Sequence, residues 1–218
     1  NRKLKRKYHV AEEYDYRKNS IYKTFLACDP VSDEVLLHNH YRCNEKIIEF
    51  NNRKYYNSRL NICSKTSEEQ PLIYVDVRGT ADDRKNVSMA EVGQILSYAK
   101  QHREEDIGVI TPFVNQRKAI EEAAEKAKLT NLSCGTVHAF QGDEKDVILF
   151  STALTENTRQ GTYMWLKNNK ELINVATSRA KNQLIVLGDM SQIERLHKEV
   201  EDDDLYELIQ YVRTNGTS

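Results

Sequence analysis

Apolar residues change their spacing several times along the chain, and each change marks an element. Ser88-Met89-Ala90-Glu91 has the spacing of a helix capping box, and Val92, Ile95, Leu96 and Ala99 follow at helical intervals. Ile107-Gly108-Val109-Ile110-Thr111 is a short apolar run ending in Thr-Pro. It predicts a buried strand and its exit, because the residue before proline is pushed toward extended backbone. Ile120, Ala123, Ala124 and Ala127 then share one face of a second helix. Leu132 to Val137 and Val147-Ile148-Leu149-Phe150 predict two strands, and Leu172, Ile173, Val175 and Ala176 a helix. Leu184-Ile185-Val186-Leu187 predicts a further strand. Continuous apolar strands with helices between them imply a parallel sheet covered on both faces, so the fold class is α/β with right-handed crossovers.

The two ends differ in character. Residues 1–20 are rich in charge and tyrosine and show no clean period. The basic cluster Arg2, Lys3, Lys5, Arg6 and Lys7 suits a solvated terminus or a nucleic-acid contact. Glu201-Asp202-Asp203-Asp204 is expected to form a solvated acidic loop. Leu205, Leu208, Ile209 and Val212 follow at helical spacing and predict a closing amphipathic helix docked on the core.

Composition narrows the class. A chain of 218 residues can bury a sizeable core, and 30% charged against 39% hydrophobic residues is a globular balance. No apolar run approaches the roughly 20 residues of a membrane-spanning helix, so no membrane partner is expected. The basic start lacks the apolar stretch of a signal peptide, and without an initiating Met the chain reads as a piece of a longer protein. A formal net charge of −1 is neutral on nucleic acid, because clustering decides phosphate binding. Four dispersed cysteines with no C-x-x-C pair indicate free thiols in a reducing cytoplasm and no metal site.

Three polar segments carry candidate chemistry, and each is expected at the carboxyl end of the sheet, where open α/β sheets bind ligands. His138-Ala139-Phe140-Gln141-Gly142-Asp143-Glu144-Lys145-Asp146 lies between two strands. Its Gly allows close backbone approach while Gln and Glu supply hydrogen bonds, although Gln-Gly-Asp also suits a plain turn. Asn174-Val175-Ala176-Thr177-Ser178-Arg179-Ala180-Lys181 sets a guanidinium among small residues. Arg179 fits either a bidentate phosphate contact or a cation at a helix C-terminus. His40-Tyr41-Arg42 pairs an aromatic with a guanidinium, as a nucleotide site or as a packed Tyr beside a surface Arg.

Taken in order, these segments together with Asn51 to Leu60 and Gly108-Val109-Ile110-Thr111-Pro112-Phe113 resemble the second RecA-like domain of superfamily 1 helicases. The likeness is to the 5′-to-3′ branch that includes the nonsense-mediated-decay RNA helicase and bacterial relatives, and it covers roughly residues 36–190. It implies a RecA-like parallel sheet with helices on both faces. Residues 1–35 would connect to a missing first motor domain, 36–200 would form the second motor domain, and 201–218 an acidic loop and C-terminal helix.

The resemblance also assigns roles. Arg42 and Arg179 match two arginine fingers on the γ-phosphate, groups that contribute on the order of 10³–10⁵ in rate. Tyr41 matches the adenine stack, and Gln141, Gly142 and Glu144 the motif that approaches ribose and phosphates. Thr111, Pro112, Phe113 and Gln116 match one grip on a single-stranded backbone, and Thr136 and His138 a second. The implied cofactor is ATP with Mg²⁺, and the partners are single-stranded DNA or RNA and the first RecA-like domain of the same polypeptide.

Two departures qualify this. The sequence has no G-x-x-x-x-G-K-[ST] phosphate loop and no acidic Mg²⁺ box, which in the family lie in the first motor domain. Thr177-Ser178 also replaces the more usual Leu-Thr or Tyr-Thr before the arginine. The isolated chain is therefore expected to bind ATP weakly and turn over none. The alternatives are a non-catalytic RecA-like nucleic-acid-binding module, and a nuclease using Asp202, Asp203 and Asp204, whose consecutive carboxylates converge poorly on one ion.

Overall fold

The computed structural model describes residues 2–15, 17–29, 31, 35, 37–65, 68–136, 140, 144–167, 169–198 and 201–217. The chain forms two compact units, Asn1–Leu37 and His38–Ser218. The first contains a short helix α1 (Arg2–Lys7), one 3₁₀ turn (Glu12–Tyr14) and α2 (Ile21–Cys28). Ser20 caps α2 by accepting from Lys23 N–H, and Lys5 pairs with Asp15. No α2 side chain is buried.

The second unit holds β1 (Asn39–His40), α3 (Glu45–Tyr55), β2 (Asn61–Ile62), β3 (Leu72–Asp76), α4 (Met89–Gln101) and β4 (Ile107–Ile110). It continues with α5 (Val114–Lys126), β5 (Leu132–Gly135), β6 (Lys145–Ser151), α6 (Gln160–Lys167) and α7 (Lys170–Ser178). Last come β7 (Ala180–Gly188), α8 (Met190–His197) and α9 (Asp204–Asn215). The main sheet is wholly parallel in the order β3-β7-β6-β4-β5, and β1 and β2 form a separate parallel pair.

Alternation along the central strands divides the core. Val147 and Leu149 of β6 meet Val92, Ile95 and Ala99 of α4 and Ile120 of α5. Ile148 and Phe150 face the other way, into a cluster with α3, α6, α7, α8 and α9. Each such buried side chain contributes about 1.5–3 kcal/mol. Because both faces are covered, the strands read as unbroken apolar runs, which is why β4, β6 and β7 were visible in the sequence.

Several local expectations change. Ser88 caps α4 by accepting from Glu91 N–H at 3.2 Å, but the capping box is only half made. The Ser88 N–H donates instead to Gln116 Oε1 at 2.9 Å. The Glu91 carboxylate turns inward and accepts from Ser151 Oγ–H at 2.6 Å and Ala153 N–H at 3.0 Å. Ala153 has φ 48°, a strained value for a residue with a Cβ, and this carboxylate holds it there.

The acidic run is not a solvated loop at its end, since Asp203 and Asp204 are both buried. Asp203 caps α9 by accepting from Tyr206 N–H, and it also accepts from the Tyr163 hydroxyl at 2.6 Å. Lys167 donates to the Glu201 and Asp202 carbonyls. Asp204 accepts from the Tyr55 hydroxyl and pairs with Lys54. The apolar face of α9 joins the core through Leu205, Leu208, Ile209 and Val212. Among the described residues no helix is long and apolar enough to cross a membrane.

The Glu91 carboxyl is raised from 4.5 to about 8 by burial, which outweighs the hydrogen bonds from Ser151 and Ala153. A carboxyl raised on folding contributes stability that is complete below 4.5 and is lost as pH rises through about 8. Glu91→Gln keeps an oxygen acceptor without the ionisation. Urea unfolding at about pH 5 and about pH 9 should show this loss, on the order of 1–4 kcal/mol, in the wild type and a flatter profile in the variant. Equal pH slopes would refute the assignment.

Candidate functional site

The sheet presents two groups of candidate residues at its opposite ends. At the carboxyl end, β4 and β6 are neighbours whose outgoing connections diverge, β4 leading to β5 and β6 to β7. Such a divergence opens a crevice. Thr111, Pro112 and Phe113 leave β4 there, and Thr136 leaves the adjacent β5. Thr111 is fully buried; its N–H donates to Gly135 O, and its hydroxyl accepts from Phe113 N–H at 3.4 Å.

Gln116 is also fully buried, and its amide is spent internally. It donates to Ser88 O at 3.2 Å and to Ser151 Oγ at 3.0 Å, while its oxygen accepts from Ser88 N–H. It therefore braces the exit of β4 against the start of α4 and the end of β6. Trp165 is 50% exposed and tilts at 39° to Phe113 with ring centroids 6.3 Å apart. Tyr163, two residues earlier, takes the core position.

At the amino end of the sheet lie Arg42, Glu144 and Arg179, which corrects the expectation that these segments sit at the carboxyl end. Lys145, the first residue of β6, pairs with Ala180, the first of β7, and Lys145 N–H donates to Arg179 O at 3.1 Å. Arg42 Nε meets Glu144 Oε2 at 2.6 Å, and Lys181 Nζ meets Glu144 Oε1 at 3.2 Å. Arg42 Nη1 also donates to Ser178 O, and Cys43 Sγ to the same carbonyl. The segment before Arg42 is tied down by Cys43 N–H donating to His40 Nε2 at 2.9 Å. Burial and the Arg42 charge lower the His40 pKa, so the ring stays a neutral acceptor.

The Arg179 Nε–H is buried and finds no hydrogen-bond partner among the described residues. The Arg179 pKa is lowered by burial first and by the Arg42 charge second. Burial works to raise the Glu144 pKa, but Lys181 and Arg42 together hold it below the usual carboxylate range. Tyr41 projects its ring into solvent, 69% exposed. Val137, His138, Ala139, Gln141, Gly142 and Asp143 lie outside the described residues, so the placement of the Gln141, Gly142 and His138 candidates is not addressed. Between them Phe140 is buried against Gly108, where an added Cβ would come within 3.1 Å of its ring.

The arginine end is stiffened by a polar seam between α3 and α7. Asn51 Nδ2 donates to Asn174 Oδ1 at 2.9 Å, and its Oδ1 accepts from the Thr177 hydroxyl at 2.7 Å. Lys181 closes one of the three polar segments of the sequence but was given no role there. It stands two residues beyond Arg179 at the start of a strand, and that period-two relation was the available signal. Among the described residues no group of three or more His, Cys, Asp and Glu side chains is placed to hold a metal ion.

Residues 17–191 match the model of a family described as an AAA domain. The chain belongs to this family. It is a RecA-like helicase domain of the superfamily 1 type, as the relatives and the parallel sheet agree. The RNA helicase Mov10l1 of Homo sapiens is 30% identical over 204 residues, covering 81% of this chain and 16% of that protein. The DNA polymerase alpha-associated DNA helicase A of Saccharomyces cerevisiae is 28% identical over 212 residues, covering 81% of this chain and 31% of that protein. The helicase domain thus spans less than a third of the length of either relative. A solved C-terminal domain of a possible DNA helicase from Lactobacillus plantarum is similar at 15% identity with a TM-score of 0.46, covering 68% of this chain and 86% of that one.

The seam is testable on the helicase domain itself. Thr177→Val leaves the Asn51 carbonyl oxygen buried without a donor, at a cost of about 1–3 kcal/mol. In a domain of this size that is a Tm drop of roughly 2–12 °C. An unchanged Tm would show that the seam holds nothing.

Proposed function

We propose that this chain is the second motor domain of an ATP-dependent nucleic-acid helicase or translocase, contributing arginine fingers and single-strand contacts. One observation carries the reading. Arg42 and Arg179, 137 positions apart in sequence, lie within each other's field beside Glu144, which Arg42 meets directly, and the Arg179 Nε–H remains buried and unpartnered among the described residues. Two guanidiniums repel at this range, so the arrangement is stabilised by an anion richer in negative charge than Glu144 alone. A terminal phosphoryl group has the charge and the planar array of oxygens that guanidinium forks match.

ATP, bound with Mg²⁺ in the cleft facing a first RecA-like domain of the same polypeptide, supplies that phosphoryl group. Arg42 and Arg179 would orient the group and stabilise charge as it transfers. The exposed Tyr41 ring is available to stack on adenine, and Glu144 holds Arg42 and Lys181 ready. Gln141 and Gly142 complete the ribose and phosphate approach in this reading. At the carboxyl end, Thr111, Pro112, Phe113 and Thr136 grip a single strand of DNA or RNA, and His138 joins that grip in this reading. Gln116 acts by bracing that turn, and the exposed Trp165 adds a ring on which a base can stack. Free cysteines fit a reducing cytoplasm. This chain alone performs no turnover.

The reading is tested in the full-length enzyme. Arg179→Ala and, separately, Arg42→Ala should lower nucleic-acid-stimulated ATPase kcat by about 10³-fold or more, with strand affinity kept within a few fold. A wild-type rate in either variant removes that residue from the finger role. Wild-type rates in both would overturn the finger assignment, whereas a full-length protein without a phosphate loop would favour the binding-module alternative.

A further inference from the structure

A basic groove lies beside the strand-gripping turn, on a surface that none of the roles above uses. It has a volume of about 510 Å³ and runs between the loop before α4 and one face of α5. Arg84 and Lys85 stand on the loop side, and Lys118 and Lys126 on the helix side. Lys118, Glu122 and Lys126 follow at four-residue intervals, which sets them in one row, and Lys118 to Lys126 spans ~12 Å along the axis. None of the four cations takes part in an ion pair among the described residues. On the neighbouring face of the same helix Arg117 is neutralised by Glu121 at 3.1 Å.

The floor is apolar, made by Val87, Met89, Ala119 and Ala123, and Met89 is exposed. Asn115, on the first turn of α5, joins the groove to the turn that ends at Phe113. We infer that this groove is an extension of the nucleic-acid track, holding the phosphates of a single strand on Arg84, Lys85, Lys118 and Lys126 while sugars and bases lie on the Met89 floor. The inference rests on the strand-binding reading above and adds a surface to it. A single strand fits better than a duplex, because a duplex offers phosphates to a cationic rim but keeps its base faces from an apolar floor. The contact reads no sequence, since lysines on phosphates position without specifying.

The test uses the full-length protein and fluorescence anisotropy with oligothymidylates of about 6 and about 15 nucleotides over a salt series. Removing two phosphate contacts in Lys118→Ala/Lys126→Ala should reduce the slope of log affinity against log salt by about 1.4 for the longer strand. Its affinity should fall by roughly tenfold at low salt, with a smaller effect on the shorter strand. Lys118→Arg/Lys126→Arg should restore both. Unchanged slope and affinity in the alanine variant, with the wild type still binding, would overturn the groove and leave the motor reading intact. A loss confined to duplex DNA would overturn the single-strand assignment. A wild-type protein that bound neither strand would overturn the groove together with the strand grips, whereas the arginine fingers are judged separately by ATPase.

Discussion

The placement of everything functional depends on the hydrogen-bonded ladder that holds β6 between β4 and β7. Being buried on both faces, β6 can be neither shifted by one residue nor frayed without moving its whole apolar set to the wrong side. Its first residue is tied to Arg179 and Ala180, and its last, Ser151, bonds Glu91 and Gln116. One seven-residue strand, roughly 20 Å long, therefore spans from the arginine cluster to the exit of β4. The crossovers a parallel sheet requires put the helices that complete each end on opposite faces, α4 and α5 on one and α3 and α7 on the other.

Around this spine, two polar networks do different work. The α3–α7 seam is neutral and nearly complete, an arrangement that rigidifies because each amide and hydroxyl is matched. The network at the carboxyl end includes an ionisable member. Glu91 is wholly buried, has no ion pair among the described residues, and holds Ala153 in a left-handed conformation through two contacts to one N–H. Gln116 belongs to that network, while Thr111 is buried on Gly135 O and Phe113 N–H, so neither side chain is turned to solvent.

The sequence was most informative where burial is two-sided and the period is clean. β4, β6, β7, α4, α5, α7 and α9 follow from apolar spacing, and the two arginines and Tyr41 from motif order. The rest fails for identifiable reasons. α6 and α8 have eight residues each, too short to show more than two turns of periodicity. Tyr163 rather than Trp165 takes the core position on α6, because the Tyr163 hydroxyl finds its acceptor on Asp203, 40 residues away. The same tertiary partners draw Asp203 and Asp204 out of solvent, where local composition alone predicts a loop. The end of the sheet at which the arginines lie was misjudged although the order was legible, because Glu144 and Arg179 directly precede strands and in a parallel sheet that places them at the amino end.

The pairing of β6 with β7 is regular from Val147 onward, but Lys145 to Val147 is matched by Ala180 to Gln183, so β7 carries an extra residue at its start. A bulge at this place turns Lys181 toward Glu144. It also interrupts the ladder between the arginine cluster and the strand behind it. The segment that carries Arg179 and Lys181 is thus held outside the regular ladder that fixes the rest of β6 and β7, and its position is set by the bulge and by the Glu144 contact.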